Sequence, residues 1–141
     1  MYTYWKRASP PPTLLTLDAP TREFCTTSRG ITNTPLQALV LWNDVQFLEA
    51  SRVLAQKSMG QPIRNMFARC TGRNPSKRED ARLKKTYDTF LSRFQKSPAD
   101  ATALLGIGEA PRPDSADPAT LAAWTMMANA FLSLDEVVTK H

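Results

Sequence analysis

The chain has 141 residues, a formal net charge of +5, 42% hydrophobic residues and 22% charged residues. That is one domain's worth of polypeptide, long enough to bury about 70% of the surface its unfolded chain exposes. No apolar run approaches the ~20 residues of a membrane helix, and Pro10, Pro11 and Pro12 stand where the apolar core of an export signal would follow Lys6 and Arg7.

The residue inventory narrows the chemistry further. The one histidine, His141, is the last residue, which removes Cys–His and Ser–His pairs held on rigid elements and most metal sites. Cys25 and Cys70 lie far apart in sequence, and whether they pair is left open. Charge is uneven. Residues 61–96 carry ten basic against three acidic residues, and residues 97–141 carry two basic against six acidic. A basic surface in the middle of the domain and an acidic one toward its end follow from that distribution.

Residues 1–33 read as an extended, Pro-rich arm, with polyproline character at Pro10–Pro12, a turn at Asp18-Ala19-Pro20, and Leu14, Leu15 and Leu17 available to a groove. Residues 34–141 read as a helical domain. Thr34-Pro35 is a cap followed by the residue tolerated at the first helical position, with Leu36, Leu39 and Val40 expected inward. Asn43-Asp44 interrupts, and Asp44 caps a second helix carrying Phe47, Leu48, Ser51, Leu54 and Ala55, closed by Gly60. A third helix runs from Pro62 to Thr71 with Gly72 as its stop. Ser76-Lys77-Arg78-Glu79 is a capping box for a fourth, reaching about Lys96, with Leu83, Tyr87, Phe90, Leu91 and Phe94 inward. Ser97-Pro98 opens a short fifth helix ending at Gly106. Asp117-Pro118 opens a sixth, whose Leu121, Trp124, Met127, Ala128, Phe131 and Leu132 cover so much of its circumference that it belongs at the centre of the core. No segment alternates as a strand does. The expected fold is all-α, with about six helices in an irregular bundle behind the arm.

The candidate site is a polar cluster at the arm and the first helix start: Lys6, Arg7, Asp18, Arg22, Glu23, Cys25, Arg29, Thr32, Asn33, Thr34 and Gln37, with Asn43 and Asp44 at the far end of that helix. Folded back, these groups would converge where free backbone N–H groups and the positive dipole end favour an anion or a polar ligand. The plainer account, and the favoured one, is that Asn33, Thr34 and Gln37 cap the helix and satisfy buried backbone. Arg78, Arg82, Lys85, Arg93 and Lys96 fall on one helix face. A solvated face explains them without nucleic acid, which has no aromatic stacking platform there. Cys25 is expected to be structural or disulfide-bonded rather than reactive, because no base adjoins it. Asn129, inside an apolar helix, is expected to make a packing hydrogen bond. Asp135 and Glu136 are adjacent and point apart on a helix, and Gly106-Ile107-Gly108 follows no strand, so neither an acid–base pair nor a nucleotide loop is read.

Several segments together resemble a known family. They are Tyr2-Thr3-Tyr4-Trp5-Lys6-Arg7, Leu17-Asp18-Ala19-Pro20, Arg22-Glu23, Thr32-Asn33-Thr34-Pro35-Leu36-Gln37-Ala38-Leu39-Val40-Leu41, Asn43-Asp44, Thr71-Gly72-Arg73 and Leu134-Asp135-Glu136. The family is the C-terminal domain of planctomycete-type multidomain proteins, domain of unknown function 1553. Val45 stands where the family pattern tends to have proline. The resemblance implies a C-terminal fragment of a larger, exported, cell-envelope protein whose upstream part carries companion domains, among them cytochrome-c-like haem or carbohydrate-binding modules. It implies no catalytic residue and no cofactor in this chain, haem belonging upstream. Three functions follow as expectations: an accessory module docking on the upstream domains; part of a composite active site for glycan or redox chemistry, with polysaccharide as partner; and, least supported, nucleic-acid binding through the basic helix.

Overall fold

The computed structural model describes residues 9–20, 23, 25, 27, 30, 32, 34–111 and 116–139. Among them are eight helices and no strand: α1 (Pro12–Thr16), α2 (Pro35–Asn43), α3 (Val45–Ser58), α4 (Ile63–Thr71), α5 (Lys77–Lys96), α6 (Pro98–Leu105), α7 (Pro118–Leu132) and α8 (Asp135–Val138). The helix starts follow the capping chemistry of the sequence. Thr34 and Gln37 close a reciprocal capping box on α2, and Ser76 and Glu79 close another on α5. Asp44 caps α3 through Gln46 N–H, and Asp117 caps α7 through Thr120 N–H. Gly72 ends α4 in the left-handed conformation, with φ of 79°.

The core is built around α7. Leu121, Trp124, Met127, Ala128 and Phe131 are all buried, and α3, α5 and α6 make the most extensive helix contacts, each against α7. The buried residues of α3 are Ser51, Ala55 and Ser58 with Arg52. Small side chains on that face let two helix axes approach closely. Phe131 meets Phe67 edge to face, with centroids 5.5 Å apart, and Trp124 meets Tyr87 in the same manner at 5.8 Å. Asn129 is buried and donates from Nδ2 to the Leu41 carbonyl at 3.4 Å, tying α7 to α2 as a packing amide should.

Three features differ from the sequence expectation. The arm is not wholly irregular: Pro12 takes the first helical position and opens α1, a five-residue turn that lies against α2. On α2 the inward residues are Gln37 and Leu41, whereas Leu36 and Leu39 are 57% and 58% exposed. That helix is apolar on nearly all sides, so periodicity alone offers no choice of face. Finally, α8 follows α7 as a separate short helix, fastened from a distance. Arg73, between α4 and α5, pairs with Glu79 at 2.8 Å and with Glu136 of α8 at 2.9 Å, and its guanidinium lies over the Phe67 ring.

This fastening has a pH signature. Hydrogen bonds from Arg73, then those from Ser76, pull the Glu79 carboxyl down to about 2. A folded-state value below the unfolded one gives stability that is complete above the ordinary carboxylate range and is lost as pH falls toward about 2. The expected result is an acid limb in the thermal stability profile between the ordinary range and about pH 2, shallower in Glu79→Gln and Arg73→Ala. Melting curves collected across that range check it.

Candidate functional site

Asp18 follows α1 in the left-handed conformation, with φ of 58°, a geometry that short polar side chains tolerate. There its Oδ2 accepts from Thr32 N–H at 2.8 Å, from Thr32 Oγ1 at 2.7 Å and from Gln37 Nε2 at 3.0 Å. Gln37 is 2% exposed and uses its whole amide: Nε2 also donates to Thr32 Oγ1 at 2.8 Å, and Oε1 accepts from Thr34 N–H at 2.8 Å. The backbone N–H of Gln37 in turn donates to Thr34 Oγ1. A carboxylate thus sits at the positive end of α2 and is supplied by the chain itself.

The network forms the polar end of an open cleft of about 640 Å³. Leu17, Leu41, Phe47, Ala50 and Leu132 line its apolar walls, and α8 contributes Val137 and Val138. Because Glu136 fixes α8 to Arg73, that ion pair also positions one wall.

Of the residues singled out in the sequence, Asp18, Thr32, Thr34 and Gln37 are brought together. Asn43 and Asp44 lie at the opposite end of α2. Asn43 Nδ2 donates back to the Leu39 carbonyl, and Asp44 accepts from Gln46 N–H and from Thr13 Oγ1 of α1. The Thr13–Asp44 and Asp18–Gln37 contacts together set α1 antiparallel to α2. Glu23 and Cys25 are exposed. Lys6, Arg7, Arg22, Arg29 and Asn33 lie outside the described residues. Asp135 and Glu136 diverge as expected, Asp135 accepting from Thr139 Oγ1 and Glu136 from Arg73.

The cysteines separate by exposure. Cys25 is an exposed free thiol rather than a buried structural one, and Cys70 is a half-buried free thiol whose pKa is raised by burial. Thiolate is the reactive form, so at neutral pH a maleimide is expected to modify Cys25 roughly tenfold faster than Cys70. Peptide mass spectrometry over a labelling time course checks this order.

Sequence reasoning missed a second polar assembly on α3. Arg52 is 2% exposed, and its guanidinium donates to the Leu105 carbonyl at 2.8 Å and to the Ala110 carbonyl at 2.7 Å. One turn earlier, Glu49 accepts from Glu109 N–H at 3.1 Å and Ala110 N–H at 2.8 Å. The two side chains clamp the loop between α6 and α7 from both polarities. Gly108 turns that loop at a φ of 89°, where any Cβ would run into the Glu49 carboxylate. The only signal in the sequence was opposite charge at i and i+3 beside the small residues Ser51 and Ala55.

Among the described residues no group of three or more His, Cys, Asp or Glu is arranged to hold a metal ion, and no helix is long and apolar enough to cross a membrane. The class defined by these features is an all-α bundle whose arm is latched onto its first long helix by a satisfied polar network. The chain belongs to the family described as PSD1, protein of unknown function (DUF1553), which it matches over residues 1–87, from the arm into the middle of α5. No curated protein and no solved structure matches it.

Proposed function

We propose that this chain is an accessory docking module within a larger exported protein of the cell envelope, and that the outer face of α2 seats against a companion domain upstream in the same polypeptide. The observation that carries this reading is the bare apolar face of α2. Leu36, Leu39 and Trp42 recur at helical spacing, all three are exposed, and no residue from Pro35 to Asn43 is charged. Val45 extends the patch at 53% exposure. A helix apolar on all sides is ordinarily an interior helix, and contiguous apolar surface rimmed by polar groups marks an interaction site. The latch of Asp18, Thr32 and Gln37 then serves to hold α1 against α2 and keep that surface in shape. The resemblance to planctomycete-type multidomain proteins supplies the companion, a domain neighbouring cytochrome-c-like or carbohydrate-related modules. Any haem would reside there.

A composite glycan or redox site draws less support. The amide of Gln37 is fully engaged within the chain, and the remaining walls of the cleft are aliphatic and aromatic.

Co-expression of the chain with the upstream part of its parent polypeptide tests the docking reading. The expected outcome is co-purification that is lost in Leu36→Ser/Leu39→Ser/Trp42→Ser, while the triple variant alone keeps the helical content of the native chain. Retained co-purification by the triple variant contradicts it.

A further inference from the structure

A different surface, on α5, carries a row of charge separate from the apolar face of α2. α5 is a 20-residue helix closed by a capping box at its start. Its Leu83, Tyr87, Phe90 and Leu91 pack against the core, and Phe94 is buried in it. At ~100° per residue, Arg78, Arg82, Lys85, Thr89, Arg93 and Lys96 fall within a sector of about 80° directly opposite. Every residue in that sector is exposed, and all but Thr89 are cationic. None of the five cations takes part in an ion pair with a described residue; the ion pairs between described residues are those of Arg73. The row is about 27 Å long at ~1.5 Å per residue.

We infer that this row is a binding track for a flexible acidic polysaccharide, a single chain bearing carboxylate or sulfate groups. Three observations select that partner among polyanions. First, the track is one charge wide. Glu79 flanks it on one side, tied to Arg73, and Asp88 flanks it on the other. A duplex presents a second line of phosphates across its groove, and these would meet the acidic flanks. Second, the row has no aromatic side chain, so single-stranded bases lack a stacking surface. Third, a shallow hollow of about 520 Å³ opens beside the track, lined by Ala81, Lys84, Lys85, Asp88, Thr89 and Ser92, whose two hydroxyls donate to the Lys85 and Thr89 carbonyls and keep their oxygens free to accept. Ammonium groups, a carboxylate and hydroxyls side by side match a sugar ring that carries both an anionic group and free hydroxyls. The lysines meet the anion, and Asp88 accepts from the hydroxyls. The cations then hold successive acidic groups along the chain, an interaction that weakens as salt rises.

The test uses the full 141-residue chain and four probes: polygalacturonate, dextran sulfate, neutral dextran and a mixed-sequence DNA duplex. Titration calorimetry at about 50 mM and about 200 mM NaCl reads the affinities and their salt dependence. Expected is binding to polygalacturonate, dextran sulfate or both, tighter than to the duplex and absent for neutral dextran. The charge reversal Arg78→Glu/Arg82→Glu/Lys85→Glu should weaken it by about tenfold or more. The neutral set Arg78→Gln/Arg82→Gln/Lys85→Gln should weaken it less, which separates loss of charge from loss of fold. Lys57→Glu/Arg64→Glu/Arg69→Glu changes net charge equally but off the track, and should leave affinity near that of the native chain. Three results overturn the inference: tighter binding of the duplex than of either acidic polysaccharide, equal losses in the two charge-reversal variants, or no binding to either polysaccharide at the lower salt.

Discussion

Arg52→Ala lowers the unfolding free energy of this chain by about 3 kcal/mol, because a carbonyl at the end of α6 and one in the loop after it lose a charged donor and the aliphatic stem leaves its packing. For a domain of this size that is a fall in melting temperature of roughly 10 °C. Arg52 is essentially inaccessible to water, and its two bonds of 2.8 and 2.7 Å reach the carbonyls of Leu105, the last residue of α6, and Ala110, in the loop that follows. Hydrogen bonds to charged groups contribute about 1.5–3 kcal/mol each, and an orphaned buried carbonyl retains its desolvation cost. Lysine at this position keeps the charge but not the planar fork, so Arg52→Lys should recover less than half of the loss. Glu49→Gln is the milder partner variant: one carboxamide oxygen replaces two acceptors for Glu109 and Ala110 N–H, at about 1 kcal/mol. Chemical denaturation of the three variants checks the ranking.

Phe131→Ala is expected to cost about 4 kcal/mol, the largest single loss from the core. Phe131 is 2% exposed and packs edge to face on Phe67, whose ring also carries the Arg73 guanidinium. The substitution therefore opens a cavity in the core beside the last turn of α7 and loosens the platform beneath the Arg73 fastening of α8. Phe131→Leu keeps most of the volume and should cost less than about 1.5 kcal/mol. In a double-mutant cycle with Phe67→Ala the two losses should fall short of additivity by about 0.5–1.5 kcal/mol, the edge-to-face contribution. Urea unfolding curves of the four proteins in the cycle check it.

Much of the fold was legible because helix ends are local chemistry. Thr34-Pro35, Asp44, Ser76 with Glu79, and Asp117-Pro118 each supply an acceptor within three residues of the donors they satisfy, and the helices begin there. The central position of α7 was legible from the width of its apolar surface. The inner face of α2 was not. Leu36, Leu39, Val40 and Leu41 offer apolar groups on every side, and the side turned inward is chosen by Gln37, whose amide finds Asp18 and Thr32 across the arm. In the candidate site, the Thr34–Gln37 half is a three-residue motif visible in sequence, whereas the Asp18 half depends on a chain reversal. Arg52 escaped notice because arginine is ordinarily solvent-facing. Only the loop after α6, more than fifty residues away, gives its buried guanidinium partners. The same distance hid the fastening of α8, since Arg73 and Glu136 meet only once the bundle has formed.

In the proposed docking role these structural elements act together on the α2 surface. The clamp of Glu49 and Arg52 fixes the end of α6 and the first residues after it, α7 is tied to α2 through Asn129, and the arm latches α2 from its other end, so the apolar stripe is presented on a braced helix. Hydroxyl-radical footprinting of Leu36, Leu39 and Trp42 tests this most directly, comparing the isolated chain with the same chain carried in the longer polypeptide that the docking proposal requires. Trp124, buried in the core, serves as the internal reference. The account predicts ready oxidation of the three residues in the isolated chain and strong protection in the longer polypeptide. Equal oxidation in both would contradict it.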